Sequence, residues 1–265
     1  MTEPIIREVR REDADALAAL WQQVFGDPEE LARDFLRRLP ALGGGVCAEA
    51  DGVLLGAAYA VTDYYLDAER IAYLYAIAVL PRARGRGLGM ALTRQAAALG
   101  RRLGAGVICT WPAEPGLYPW YERAIGARCA FRQREERIES RPGPIPLPIT
   151  PEEYGARREA LLEGFPHVRP GMEVLRREQF NCRVCGGDLV SVGDGIAAVY
   201  RDEDLPLVRE LIAPQGADRP ALAAALGAAL GAERVRLLTP DEGGQPAIAA
   251  DRPLPAGCVW GLALD

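Results

Sequence analysis

The sequence predicts an α/β fold, a mixed and mostly antiparallel central sheet flanked by helices, present twice in tandem. Three observations point there. Asp51-Gly52 stands between two apolar runs, GVCAEA and VLLGAAYAV, which is the pattern of a β-hairpin. The stretch from Ala72 to Leu103 reads as an apolar strand AYLYAIAVLP, a Gly/Arg turn RARGRGLG and a helix MALTRQAAALGRRL, the strand-to-helix crossover that a parallel neighbour requires. Beyond the Pro/Gly-rich segment from Ser140 to Pro151, the order hairpin, strand, helix, strand recurs.

In chain order, IIREV opens a short strand, and Asp13 or Asp15 is placed to cap a helix in which Leu17, Leu20, Trp21 and Val24 recur at helical spacing. PEELARDFLRRL is a second amphipathic helix, followed by ALGGG, read as a turn. The hairpin comes next, then AYLYAIAVL, apolar on both faces as a central strand should be. After the crossover helix, GVICTW is a short buried strand, LYPWYERAIG a short helix and CAFRQREERIE a closing strand. Proline cannot donate to a sheet ladder, so SRPGPIPLPITP is a linker or an edge. It divides the chain into residues 1–140 and 141–265. In the second part EEYGARREALLEGF, GMEVLRREQF and DRPALAAALGAAL read as helices, the last capped by Asp218. GDLVSVGDGIAAVYRD reads as a hairpin, and LPLVRELIAP, ERVRLLTP and the terminal CVWGLALD as strands.

Composition narrows the function. The chain has 265 residues, 49% of them hydrophobic and 26% charged, and a net charge of -6. Its basic residues are all arginine, a compositional bias of the source rather than chemistry. Nucleic acid is disfavoured as a partner because a polyanion calls for a basic face. No apolar run approaches the roughly 20 residues that span a bilayer, and MTEPIIREVRRED carries no apolar signal core, so no membrane partner and a cytoplasmic location are expected. Six cysteines in such a setting are reduced thiols. Cys182 and Cys185 form one CxxC without the second half of a zinc site, and His167 has no acid or thiol beside it in sequence. No metal is expected.

The chemistry concentrates in Arg84, Gly85, Arg86, Gly87, Leu88 and Gly89, which fit RxxGxG between a strand and a helix. Glycines at 85, 87 and 89 let backbone N–H groups turn toward a ligand, and the helix dipole adds partial positive charge. A pyrophosphate is the natural guest. A dinucleotide fingerprint or a Walker A loop would need GxGxxG at the first strand or GK[ST], and neither occurs.

The segment YAIAVLPRARGRGLGMALTRQAA resembles the acetyl-coenzyme A binding motif of the GNAT superfamily of N-acetyltransferases, and the element order from Ile5 to Glu139 is similar to that fold. The resemblance implies acetyl-CoA as co-substrate. Ile77, Ala78 and Val79 match the strand whose backbone pairs with the pantetheine arm, and Arg84 to Gly89 match the pyrophosphate loop. LYPWYERAIGA is similar to the second signature, in which Tyr121 matches the tyrosine that protonates the leaving thiolate; Tyr118, one turn away, is the alternative acid. A phenol with pKa near 10 suits that task. Four residues separate Tyr121 from Gly126 where three are usual, and Ala127 stands where the family has Phe, so a distorted helix end is expected. For the general base the candidates are Glu114, Asp63, Tyr73 or Tyr75 through water, and the terminal carboxylate at Asp265. The resemblance thus implies direct transfer of an acetyl group to a primary amine by residues 1–140. Residues 141–265 would be a smaller GNAT-like domain that lacks RxxGxG. The acidic balance leans toward a small cationic amine as acceptor. A homodimer is compatible with this reading, and a coenzyme A binding module without turnover is the alternative.

Overall fold

In the computed structural model, residues 3–201 and 205–262 are described. The elements in order are β1 (Ile5–Glu8), α1 (Ala14–Phe25), α2 (Glu29–Leu42), β2 (Gly43–Ala50), β3 (Val53–Leu66), β4 (Glu69–Val79), α3 (Leu88–Arg102), β5 (Val107–Thr110), α4 (Tyr118–Ile125), β6 (Arg128–Glu139), β7 (Leu147–Pro148), α5 (Pro151–Leu161), β8 (Val168–Pro170), α6 (Met172–Val184), β9 (Asp188–Val192), β10 (Gly195–Tyr200), β11 (Leu207–Ile212), α7 (Arg219–Ala229), β12 (Arg234–Pro240) and β13 (Gln245–Ala250). The mixed, largely antiparallel sheet flanked by helices is the fold class the sequence predicts. No helix among the described residues is long and apolar enough to cross a membrane.

The chain forms two units. Among the described residues, the first comprises 3–130 with 247–254, and the second comprises 131–201 and 205–246 with 255–262. The division therefore precedes the proline-rich segment. The reason is pairing: β6 runs antiparallel to β12 from Gln133 to Glu139, and β7 is the edge strand of the second unit, bonded to β9 at Leu147 and Pro148. An edge is where prolines are tolerated in a sheet.

In the first unit the strand order is β1, β2, β3, β4, β5, β13. β1 to β4 are antiparallel, β4 and β5 are parallel across α3, and β13 closes antiparallel on β5. This last strand was not legible in sequence. Asp251 secures it by accepting from Ile108 N at 3.0 Å and pairing with Arg101. The alternation on β4 explains its apolar run. Ala72, Leu74 and Ala78 pack with Leu92 and Ala96 of α3, whereas Tyr75 lies against Trp21 and Phe35 of the α1–α2 pair, with ring centroids 5.5 and 5.1 Å away. Both faces of the strand are thus buried.

Two local expectations are corrected. Gly43 to Gly45 are not a turn but the first three residues of β2, because a Cβ at Gly43 would lie 2.1 Å from Ala60 O and one at Gly45 would lie 2.6 Å from the Tyr59 ring. Asp13 makes no side-chain cap on α1; its carboxylate instead receives Arg7 Nη1 and the Arg10 amide, each at 2.7 Å. The salt bridge holds this carboxyl below the usual range.

In the second unit the strand order is β6, β12, β11, β10, β9, β7. β9, β10 and β11 are successive antiparallel neighbours, and α7 crosses from β11 to a parallel β12. This repeats the succession β2, β3, β4, α3, β5 of the first unit. Asp218 caps α7 through Ala221 N, as predicted. Of the predicted terminal strand CVWGLALD, the described residues 258–262 form no strand beyond an isolated parallel bridge between Val259 and His167, and residues 263–265, with Asp265, lie outside the described residues.

The core of the second unit contains ions. Arg158 and Glu210 are 1% and 3% exposed and pair at 3.0 Å, and Tyr154 Oη donates to Glu210 Oε2 at 2.7 Å. Removing one partner leaves a desolvated charge, so Arg158→Ala should cost about 3–5 kcal/mol. A denaturant midpoint close to wild type would show that water reaches Glu210.

Candidate active site

The site begins with a break in the β4 ladder. Ala57 pairs with Ala78 and Tyr59 with Tyr75, so β4 has one more residue than β3 in this interval, and Ala76 takes a left-handed φ of 45°. That conformation is costly for a residue with a Cβ. On the other side of β4, the parallel register with β5 covers only Ile71 to Tyr73 against Val107 to Cys109. Beyond it the side chain of Thr110 takes over, its hydroxyl donating to Leu74 O at 2.9 Å. The bulge and the short register together let β4 and β5 part at Tyr75 to Ile77.

A cavity of about 620 Å³ opens there. It is lined by Tyr73 to Ile77 of β4, by Thr110, Trp111 and Ala113, by Leu117 and Tyr121, and by Trp21, Phe25 and Asp27. Its volume lies within the ordinary range for small-molecule sites.

Tyr121 is placed by α4. This helix ends on Gly126 with φ 72° and a cap from Gly126 N to Glu122 O at 2.8 Å, so the expected distortion is absent. Ala127 is buried beside Tyr121 and Ala249, filling the position with a small side chain. From α3, Arg94 donates to Arg123 O and Ala124 O, which satisfies carbonyls that a helix C-terminus leaves open. Tyr121 itself is 7% exposed. Burial pushes its hydroxyl above the ordinary tyrosine range, and a hydrogen bond with the Thr110 side chain draws it part of the way back. Tyr118 is differently placed: its hydroxyl donates to Ala247 O at 2.9 Å.

Ile77 lines the cavity, while Ala78 is buried against the α3 side of the sheet and Val79 pairs with Gly56. After Val79 the chain turns through Pro81–Ala83 and enters α3 at Leu88. Gly85 and Gly87 both have φ 76°, and a Cβ on either would meet nothing within 4 Å. The glycines are thus required by backbone conformation, not by crowding. Gly87 is the N-cap of α3 and supplies no side-chain acceptor, so the first-turn N–H groups are left for a ligand. Arg84 Nε donates to Val79 O at 3.0 Å, tying the loop to the end of β4. Arg86, Gly87 and Leu88 line a smaller cavity of about 240 Å³.

Of the residues proposed as bases, Tyr73 and Tyr75 line the larger cavity, but Glu114 is exposed in the preceding loop and Asp63 lies by Tyr65, whose hydroxyl donates to it at 3.4 Å. The carboxylate the cavity does contain was missed. Asp27 sits in the three-residue link between α1 and α2, after a left-handed Gly26 (φ 78°) and before Pro28, which disfavours helical backbone at the residue preceding it. Trp21 Nε1 donates to Asp27 Oδ2 at 2.7 Å. A Gly-Asp-Pro between two amphipathic segments signals a turn; which strand that turn overhangs cannot be read from it. No group of three or more His, Cys, Asp or Glu among the described residues is arranged to hold a metal ion.

Comparison with known proteins agrees with this geometry. Residues 7–127 match the family model described as the acetyltransferase (GNAT) family. The chain is similar to a solved conserved protein of Enterococcus faecalis V583, with 14% identity and a TM-score of 0.68 over 94% of this chain and 72% of that one. It is similar to GCN5-related N-acetyltransferases from Kribbella flavida (17%, TM-score 0.67, 93% and 71% covered) and Anabaena variabilis (13%, TM-score 0.65, 94% and 72% covered). At these identities the likeness is one of fold. No curated protein matches the chain significantly.

Proposed function

Taking residues 7–127 as a GNAT acetyltransferase domain, we propose that the protein transfers the acetyl group of acetyl-CoA directly to a small primary amine, in the cytoplasm. In this reading the first-turn amides of α3 and the loop Arg84 to Gly89 hold the pyrophosphate. The backbone of Ile77 to Val79 runs along the pantetheine arm, and one of its N–H groups receives the oxyanion. The ammonium substrate gives one proton to solvent, and its nitrogen attacks the thioester carbonyl. The C–N bond forms, the C–S bond breaks, and the thiolate takes a proton from Tyr121. The second nitrogen proton then restores the phenol by way of solvent, so acetyl-CoA and ammonium give amide, coenzyme A and one net proton.

The observation that carries this reading is the coincidence of three features in one unit: a bulged, parting strand, a left-handed Gly loop at an uncapped helix N-terminus, and a buried tyrosine on the wall of the cavity between them. The second unit, with the same strand succession but APQGADRP where RxxGxG would be, is read as a GNAT-like domain that does not hold the coenzyme.

A thiol-release assay with acetyl-CoA against a panel of primary amines tests the proposal. Amine-dependent release is the expected result. Tight acetyl-CoA binding without amine-dependent release would establish a binding module instead.

A further inference from the structure

Asp27 has no part in the scheme above, yet it contributes the one carboxyl side chain among the residues lining the cavity. Its placement is built rather than incidental. Trp21, which supplies its hydrogen bond, is 3% exposed and packed among Phe25, Phe35, Tyr59 and Tyr75 at centroid distances of 5.3 to 5.9 Å. A rigid indole therefore fixes one carboxylate oxygen, Oδ2, and Oδ1 is left for a guest. An N–H bond to a carboxylate is charge-assisted, so the pair is stiff as well as polar.

The remaining walls are mostly apolar. Trp21, Phe25, Tyr73, Tyr75, Trp111 and Tyr121 contribute six aromatic side chains. The Thr110 hydroxyl is already committed to Leu74 O. A polyhydroxylated acceptor would bring many groups in need of partners to a cavity that offers few. A cation with an apolar body loses little: its charge meets Asp27 and aromatic faces that attract cations, and its body displaces water from aromatic rings.

Building on the acyl-transfer reading, we propose that Asp27 is the cation-binding residue of the acceptor subsite, and that the acceptor is a small protonated amine with an apolar body the size of an aromatic ring. A neutral isostere of the same shape would desolvate the carboxylate without pairing it, so the site discriminates by charge as well as by shape.

The test is calorimetric and does not depend on turnover. Wild-type protein, with and without saturating coenzyme A, is titrated with 2-phenylethylamine, 2-phenylethanol, spermidine and an acetyl-capped lysine peptide. We expect the aromatic amine to bind at least tenfold more tightly than its alcohol and more tightly than spermidine or the peptide. Asp27→Asn retains a carbonyl acceptor for the Trp21 indole and should remove the preference for amine over alcohol while leaving coenzyme A affinity unchanged. Equal affinity of wild type for amine and alcohol would overturn the inference, and this comparison stands even if the variant misfolds. So would a preference that survives Asp27→Asn, or tightest binding of spermidine or the peptide. Failure of coenzyme A to bind would instead defeat the acyl-transfer reading, and the titration without coenzyme would still measure the cation preference.

Discussion

Tyr121→Phe is expected to lower kcat for amine acetylation by about 10²- to 10⁴-fold, the usual worth of a positioned general acid, while leaving acetyl-CoA affinity unchanged. The substitution keeps the ring that packs with Ala127 and Ala249 and deletes only the hydroxyl that meets Thr110. Its cost to stability is the loss of one hydrogen bond, on the order of 1 kcal/mol. The pH dependence has a definite sign. Because burial raises the Tyr121 pKa, the phenol stays protonated through neutral pH. The alkaline fall in kcat then comes above the ordinary tyrosine value of about 10. When Tyr121 ionises, the Thr110 hydroxyl turns from Leu74 O to donate to the phenolate, so Thr110→Val, which removes that donor, should move the alkaline limb higher still; in Tyr121→Phe the limb disappears. Thiol release measured across the alkaline range checks all three. A Tyr121→Phe enzyme with wild-type kcat would take the tyrosine out of the reaction.

Gly87→Glu is expected to weaken acetyl-CoA binding by about 100-fold or more without unfolding the protein. At φ 76° a side chain is strained, by roughly 1–2 kcal/mol. Nothing stands within 4 Å of the new Cβ, however, and a carboxylate at a helix N-terminus returns about 0.3–1 kcal/mol. Against the bound coenzyme the same carboxylate is repulsive. At an effective dielectric near 20, two unit charges about 5 Å apart repel by roughly 3 kcal/mol, about 100-fold in affinity. Gly85→Ala, which introduces strain but no charge, is the control and should lose much less. Titration calorimetry beside a thermal melt separates affinity from folding, and unchanged affinity in a folded Gly87→Glu protein would place the pyrophosphate elsewhere.

The parts of the site legible in sequence are those whose chemistry is local. RxxGxG needs only neighbouring residues to turn the backbone and open a helix, and Gly85, Gly87 and Leu88 take up that geometry. The tyrosine helix was legible for the same reason, although its end was misjudged: Gly126 reaches a left-handed cap regardless of the extra residue before it. The ALGGG segment misled because glycine reads as a turn, whereas here it answers to the Tyr59 ring and the Ala60 backbone on the neighbouring strand. β13 was missed because GQPAIAA is short and weakly patterned, and its partner β5 is more than a hundred residues away in the chain.

By itself, then, the sequence determined the class of fold, the order of most elements and the glycine-rich strand-to-helix loop, since hydrophobic period, turn residues and helix starts act over a few residues. Only the tertiary structure decided what faces the cavity. It drew Asp27 in from the α1–α2 link, left Glu114 exposed and committed the Tyr118 hydroxyl to Ala247. Such choices depend on where strands part and which helices overhang them, and that is settled by long-range register and packing, to which no local pattern answers.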